Sequence, residues 1–186
     1  MSVDVVRRRF TVDEYLHMAQ AGILTEDDRV ELLDGEIVEM TPIGRRHSGC
    51  VAALLRVLIT GIGSRALVWS QGPIRLSGHS LPEPDVTLLR PRPVSYSDAD
   101  AEPRDVLLLI EVSDTSLRRD RVIKLPLYAG AGIPEYWIVD VQGRELEVHT
   151  RPSGSGYGSV RTFCRGQSLS PLAFPDLRVA VDEVFA

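Results

Sequence analysis

Two acids stand out for where they sit. Asp85 opens an apolar run directly after Pro84, and Glu111 lies near the end of Val106-Leu-Leu-Leu-Ile-Glu-Val112, the most strand-like stretch of the chain. An ionised carboxylate in apolar surroundings is costly unless something pairs with it. That partner can be an arginine, a lysine or a divalent cation. An Asp and a Glu side by side suit a hard ion such as Mg²⁺ or Mn²⁺, which takes oxygen ligands and keeps several waters. Such an ion binds phosphate oxygens and generates hydroxide at neutral pH. The residues alone leave the alternative open that Asp85 caps a turn and Glu111 is a paired buried acid, because structural ion pairs occupy similar positions.

Other residues carry weaker signals. Arg118, Arg119 and Arg121 form a local basic cluster beside Lys124. They are the best candidates to contact a nucleic-acid backbone, although arginines on a helix are usually a solvated face. Asp120 and Lys124 stand four apart, which is also the spacing of an ordinary helix salt bridge. Glu31 is either a site acid or a surface partner of Arg29 or Arg45. His47, next to Arg45 and Arg46 at a helix start, either meets phosphate or ends a solvated helix. Tyr136 and Trp137 read as packing rather than as platforms for bases.

The elements that must position these residues are legible in part. Thr11-Val-Asp-Glu14 is a capping box, so a short helix follows and ends near Gly22. Asp34-Gly35 between Arg29 and Met40 predicts a tight hairpin. The apolar positions from His47 to Gly61 follow a helical period. Short strands are expected at Ala66–Ser70, Ile74–Ser77 and Asp85–Leu89, and the proline-rich stretch Pro91–Arg104 reads as an exposed loop. Val106–Val112 is apolar on both faces, as a central strand would be. Leu117–Gly130 looks helical, with Pro126 forcing a kink or a restart. Tyr136–Asp140 is another buried strand, pairing with Glu145–Thr150 around Gly143. Ser153–Gly158 reads as a flexible turn, and short strands fill Val160–Ala186.

Composition bounds the answer. The 186 residues are 44% hydrophobic and 25% charged, as expected of one soluble domain spanning 1–186. Val51–Ile59 is broken by Arg56, and no run approaches the ~20 apolar residues of a membrane span. The first ten residues lack the apolar core of a signal peptide. Cys50 and Cys164 make neither a zinc pattern nor a disulfide framework, so a reducing, cytoplasmic setting is the simplest reading. The net charge of −5 counts against an obligate nucleic-acid coat. It leaves room for a local basic cleft.

Glu31-Leu-Leu-Asp-Gly35, His47, Pro84-Asp85-Val86, Leu109-Ile-Glu-Val112, Asp120-Arg-Val-Ile-Lys124, Tyr128 and Gly132-Ile-Pro-Glu-Tyr-Trp-Ile-Val-Asp140 stand in an order that resembles the Uma family. These are restriction-endonuclease-like bacterial proteins of the PD-(D/E)XK nuclease superfamily, long known as a domain of unknown function. The resemblance covers about residues 10 to 150. It implies an α/β fold with a mixed central sheet flanked by helices. It also implies Mg²⁺- or Mn²⁺-dependent cleavage of DNA, with Asp85 and Glu111 as metal ligands and the Val112 carbonyl as a third. The superfamily lysine is expected two residues after the glutamate, but position 113 is serine. Lys124, the first lysine after Glu111, is then expected to bring its ammonium to the carboxylate pair instead of pairing with Asp120. Its replacement should abolish cleavage and leave folding nearly intact. Glu31 matches an extra N-terminal acid seen in some members. Nucleases of this size often form homodimers to cut two strands. The competing class is a non-catalytic, decayed nuclease fold that binds nucleic acid or protein. A third is a phosphoesterase acting on RNA or a small molecule.

Overall fold

The computed structural model describes residues 7–25, 27–154 and 156–186. Met1–Val6, where the signal-peptide reading falls, lie outside it.

Local signals build the N-terminal part. Thr11 caps α1 (Val12–Gln20) by accepting from the Glu14 amide, and Glu14 reaches back to the Thr11 amide. The chain then forms β1 (Val30–Leu33) and β2 (Glu36–Glu39), paired antiparallel as expected. Asp34 (φ 48°) and Gly35 (φ 79°) make the turn. Both lie in the left-handed region that a two-residue hairpin loop requires. Val12, Tyr15 and Leu32 pack with Leu81, and Leu32 also bridges Leu81 through the backbone. That bridge draws β1 beside the segment leading into the central sheet.

The central sheet runs β3 (Leu67–Ser70), β4 (Val86–Leu89), β5 (Val106–Ser113), β6 (Glu135–Asp140), β7 (Glu145–Ser153) and β8 (Gly156–Phe163), neighbours in that order. Every pairing is antiparallel except β5 with β6. That parallel pair needs a crossover, and the helical segment from Leu117 to Gly130 supplies it. β5 is buried on both faces. Leu108, Ile110 and Val112 pack on α2 (Arg45–Ile62) through Leu54, Leu58 and Ile62. Leu109 faces the crossover with Tyr128, Ile133 and Tyr136.

Arg45–Arg65 is long and apolar enough to cross a membrane by length and composition, contrary to the run counted from the sequence. Its Cys50–Val51–Leu54–Leu58–Ile62 stripe is instead covered by the sheet. The C-terminal residues add β9 (Ser168–Leu169), β10 (Val179–Ala180) and α5 (Val181–Val184) to the same side.

Three expectations change. Ile74–Ser77 is not a strand; it makes only isolated bridges, Ile74 with Ala101 and Ser77 with Ser80, because the chain turns back on itself at Gly78. Most of Ser153–Gly158 is not a loop. Ser153 closes β7 and pairs with Gly156, so among the described residues only Gly154 (φ 57°) stays outside the ladder there; Ser155 lies outside the described residues. The crossover helix is disturbed before Pro126 rather than at it. α3 (Leu117–Arg119) passes through a π turn (Asp120–Lys124) into α4 (Leu125–Gly130), and the Leu125 amide donates to the Asp120 carbonyl. Pro126 has no amide to donate and its ring crowds the carbonyl four residues back. The wider turn relieves that crowding.

Leu58 is fully buried between α2 and the sheet. Leu58→Ala should lower unfolding stability by about 2–5 kcal/mol, measured by denaturant titration.

Candidate active site

Strand register creates the site. β4 pairs with β5 so that Val86 meets Ile110, and one residue further Asp85 comes beside Glu111 at the same end of the sheet. One Asp85 oxygen (Oδ2) accepts from the Val112 amide at 2.8 Å. The other (Oδ1) lies 3.0 Å from His47 Nε2, contributed by the first turn of α2. Glu111 Oε1 accepts from Lys124 Nζ at 2.9 Å and from the Tyr128 hydroxyl at 2.7 Å. Lys124 Nζ also lies 2.9 Å from Glu31 Oε2, which accepts from the Glu83 amide at 3.3 Å. Glu31 Oε1 is buried without a hydrogen-bond partner.

Lys124 therefore does not pair with Asp120. The Asp120 carboxylate instead accepts from Ser113 Oγ and Ser116 Oγ, both at 2.6 Å. The π turn explains why these side chains converge. In a straight α-helix, residues four apart drift about 40° around the axis. The π turn holds an extra residue per ring and turns that drift back. Asp120, Lys124 and Tyr128 thus all stay buried against the sheet.

Asp85, Glu111, Val112 and Asp120 line one cleft, with His47 and Asp114 at its wall. Met40–Ile43 and Arg119 cover it. Arg119 is fastened there, donating to the Glu39 carbonyl at 2.7 Å and to Thr41 Oγ1 at 3.3 Å. The three arginines do not form one patch. Arg118 is exposed beside Val122 and Ile123, whereas Arg121 is drawn to Glu147 on β7.

Electrostatics follow from one cation serving two acids. Burial pushes the Glu111 carboxyl up to about 8, against the pull of Lys124, and nearby Asp120, Asp85 and Glu31 push the same way. Burial works against the Lys124 charge, but Glu111 and Glu31 outweigh it and hold the ammonium protonated. Burial, then Glu111, raises Tyr128. The hydrogen bond that His47 gives to Asp85 raises the His47 imidazole despite its partial burial.

The acids outnumber the one buried ammonium, and burial together with them keeps a proton on Glu111 to higher pH than on a free carboxyl. A hard divalent cation fits that excess of acids. The donors are oxygens, and the Asp85 and Glu111 carboxylates share a cleft with Asp114 and Asp120. Among the described residues no three His, Cys, Asp or Glu side chains are gathered as a complete metal cage. An ion here would have to be held by two carboxylates and completed by a carbonyl and waters, a coordination that Mg²⁺ accepts.

Sequence reasoning missed the Tyr128 hydroxyl on Glu111, the His47–Asp85 contact and the two serines on Asp120. It also passed over one available signal: Lys124 is the only lysine in a chain with twenty arginines. An ammonium is compact where a guanidinium is broad. A lone lysine therefore marks a place that an arginine does not fill.

The six-stranded mixed sheet with helices on both faces and acids at one strand end defines an α/β nuclease-type fold. Residues 12–182 match the Uma2 family, described as "Putative restriction endonuclease". The chain belongs to that family. No curated protein matches. Among solved structures, the fold is similar to the crystal structure of a "putative nuclease belonging to DUF820" from Anabaena variabilis. The TM-score is 0.73 at 15% identity, over 95% of this chain and 97% of that one. Family and fold together indicate a restriction-endonuclease-like nuclease.

Two outcomes follow from the buried network. Lys124 is only 3% exposed, so folding cannot be indifferent to it, contrary to what its sequence position suggests. Lys124→Met should destabilise by about 3–5 kcal/mol, because two buried acids lose their cation, and Lys124→Arg should not restore the loss. Denaturant titration of both variants checks this.

The second outcome concerns pH. Below the ordinary carboxyl value of 4.5, Glu111 is protonated folded or unfolded; between 4.5 and about 8 only the folded form keeps the proton. Metal-free stability from this group should be complete below 4.5 and fall as pH rises to about 8. Melting temperatures across that range should flatten in Glu111→Gln.

Proposed function

We propose that the chain hydrolyses DNA phosphodiester bonds with a Mg²⁺ or Mn²⁺ ion held by Asp85, Glu111 and the Val112 carbonyl. The observation that carries the reading is the sharing of one cleft by Asp85 and Glu111, with the buried Lys124 ammonium on Glu111. The ion, when bound, supplies polarisation of the phosphate and a water acidic enough to ionise at neutral pH.

The chain's own groups do the positioning. The Val112 amide and His47 fix the Asp85 carboxylate from two sides. Lys124 and Tyr128 fix Glu111 through its Oε1 atom, leaving Oε2 for the cleft. Lys124 also adds positive potential near the place where the phosphate gathers charge, and a preorganised charge in a dry site needs no rearrangement during reaction. Glu31 holds Lys124 from the far side. Arg119 lines the cleft and Arg118 the adjoining surface beside Val122, where both can meet neighbouring phosphates; Arg121, turned to Glu147, is the least available of the three.

A second reading is a decayed fold that binds nucleic acid or protein without cutting. Ser113 favours it, since its hydroxyl serves Asp120 where a strand-borne lysine would serve the phosphate.

Incubation of purified protein with supercoiled plasmid decides between them. Nicking or cutting with Mg²⁺ or Mn²⁺ that stops with EDTA supports hydrolysis. Asp85→Asn should reduce the rate on the order of 100-fold or more, about 2.7 kcal/mol of lost transition-state stabilisation. No cutting with either ion would make the binding module the better reading.

A further inference from the structure

A second, larger cavity opens beside the acid cleft and shares walls with it. It lies between α1, β1 and the turn after β3, and Arg29, Met40 and Glu83 line both spaces. Its remaining wall offers two kinds of surface. Ala19, Leu24 and Val30 are apolar; Gln20, Gln71 and Thr25 carry amides and a hydroxyl. Asp28 is there too, its Oδ2 accepting from the Thr25 amide and hydroxyl at 2.8 and 2.9 Å. Tyr15 gives its hydroxyl to the Val30 carbonyl and presents its ring. Apolar faces with a few convergent polar groups are the usual lining of a small-molecule site.

Gln71 occupies its place against backbone preference. Its φ is 51°, in the left-handed region. A residue with a Cβ resists that conformation by about 1–2 kcal/mol, and glycine does not. A strained non-glycine lining a cavity is the kind of outlier found at binding sites.

The neighbouring acid cleft is narrow. The Glu111 side chain is 6% exposed and that of Asp85 13%, beneath the Met40–Ile43 cover. A base inside an intact duplex is stacked and paired, so it cannot enter a side cavity. A base that is unpaired, or turned out of the stack, can. With its phosphate at the acids, such a nucleotide would pass Arg29, whose charge reaches both His47 and Glu83.

We propose that the larger cavity is a nucleobase subsite, holding the base next to the phosphate that is cut. The substrate is then nucleic acid that is unpaired at that point. A glutamine amide donates and accepts at once, as a base edge requires, and the apolar wall takes the base's face. The proposal rests on the phosphodiester reading of the acid cleft.

The test is binding, separated from cutting. A fluorescein-labelled single-stranded DNA tetramer and its abasic counterpart are titrated by anisotropy, with Ca²⁺ in place of Mg²⁺. The unmodified protein should bind the base-bearing tetramer about tenfold more tightly, the scale of one base contact. Gln71→Gly should erase most of that gap while the melting temperature holds or rises, because the strain disappears with the amide. Ala19→Trp, on the exposed side of α1, should fill the cavity and erase the gap as well. Equal affinities in the unmodified protein, or an undiminished gap in either variant, overturns the subsite. A base-dependent gap in a protein that cuts no plasmid or single strand supports the subsite and removes the hydrolytic reading.

Discussion

One ammonium between two buried carboxylates is the contact on which the site depends. Glu31 comes from the hairpin, Glu111 from the central strand, and Lys124 from the crossover helix. None of the three is tolerable alone in a dry interior, since removing one partner of a buried pair leaves an uncompensated charge. The hairpin is thereby obliged to close over the end of the sheet. Leu32 and Leu81 supply the apolar part of that closure, and the Glu83 amide adds a hydrogen bond to Glu31. The arrangement still leaves one negative charge too many. Burial first, and then that surplus, raises Glu111.

The crossover helix is shaped to deliver that ammonium. Pro126 forbids one ordinary helical hydrogen bond, and the chain answers with a π turn rather than a break. Asp120 then reaches back to the strand end, where Ser113 and Ser116 bind it, while Lys124 and Tyr128 reach Glu111. On the proposed reading, the positive charge expected on the strand at position 113 is supplied from the helix instead. Lysine suits this route because its long stem can be buried while three donors remain at the tip.

What the sequence disclosed was local. The Thr11 capping box, the Asp34-Gly35 turn and the doubly apolar β5 each follow from neighbours a few residues away, and each is found as expected. Asp85 and Glu111 stood out because a charge next to an apolar run is conspicuous. The partners of these acids were not legible. Lys124 has an acid four residues before it, yet binds Glu31 from a distant part of the chain, because burial leaves Asp120 to the serines. Arg121 looked like part of a phosphate-binding cluster, but Glu147 on β7 takes it. Ile74–Ser77 has strand composition and forms no strand, because Gly78 reverses the chain before a ladder can grow. Helix periodicity could place Leu117–Gly130 but not its π turn, since the proline that provokes the turn is equally compatible with a kink.

The acidic balance of the chain constrains how such a site can work. A net charge of −5 gives no long-range attraction for a polyanion, and the cleft itself concentrates acids. On the proposed reading, attraction must therefore be local and conditional. A divalent cation has to offset Asp85 and Glu111 before a phosphate is welcome between them. Arg29 and Arg119 line the cleft, and among the described residues Arg119 is held by a carbonyl and a hydroxyl. A phosphate oxygen is a stronger, charge-assisted acceptor than either. On that reading a phosphate competes for Arg119 with neutral acceptors and not with a carboxylate, so its approach breaks no ion pair.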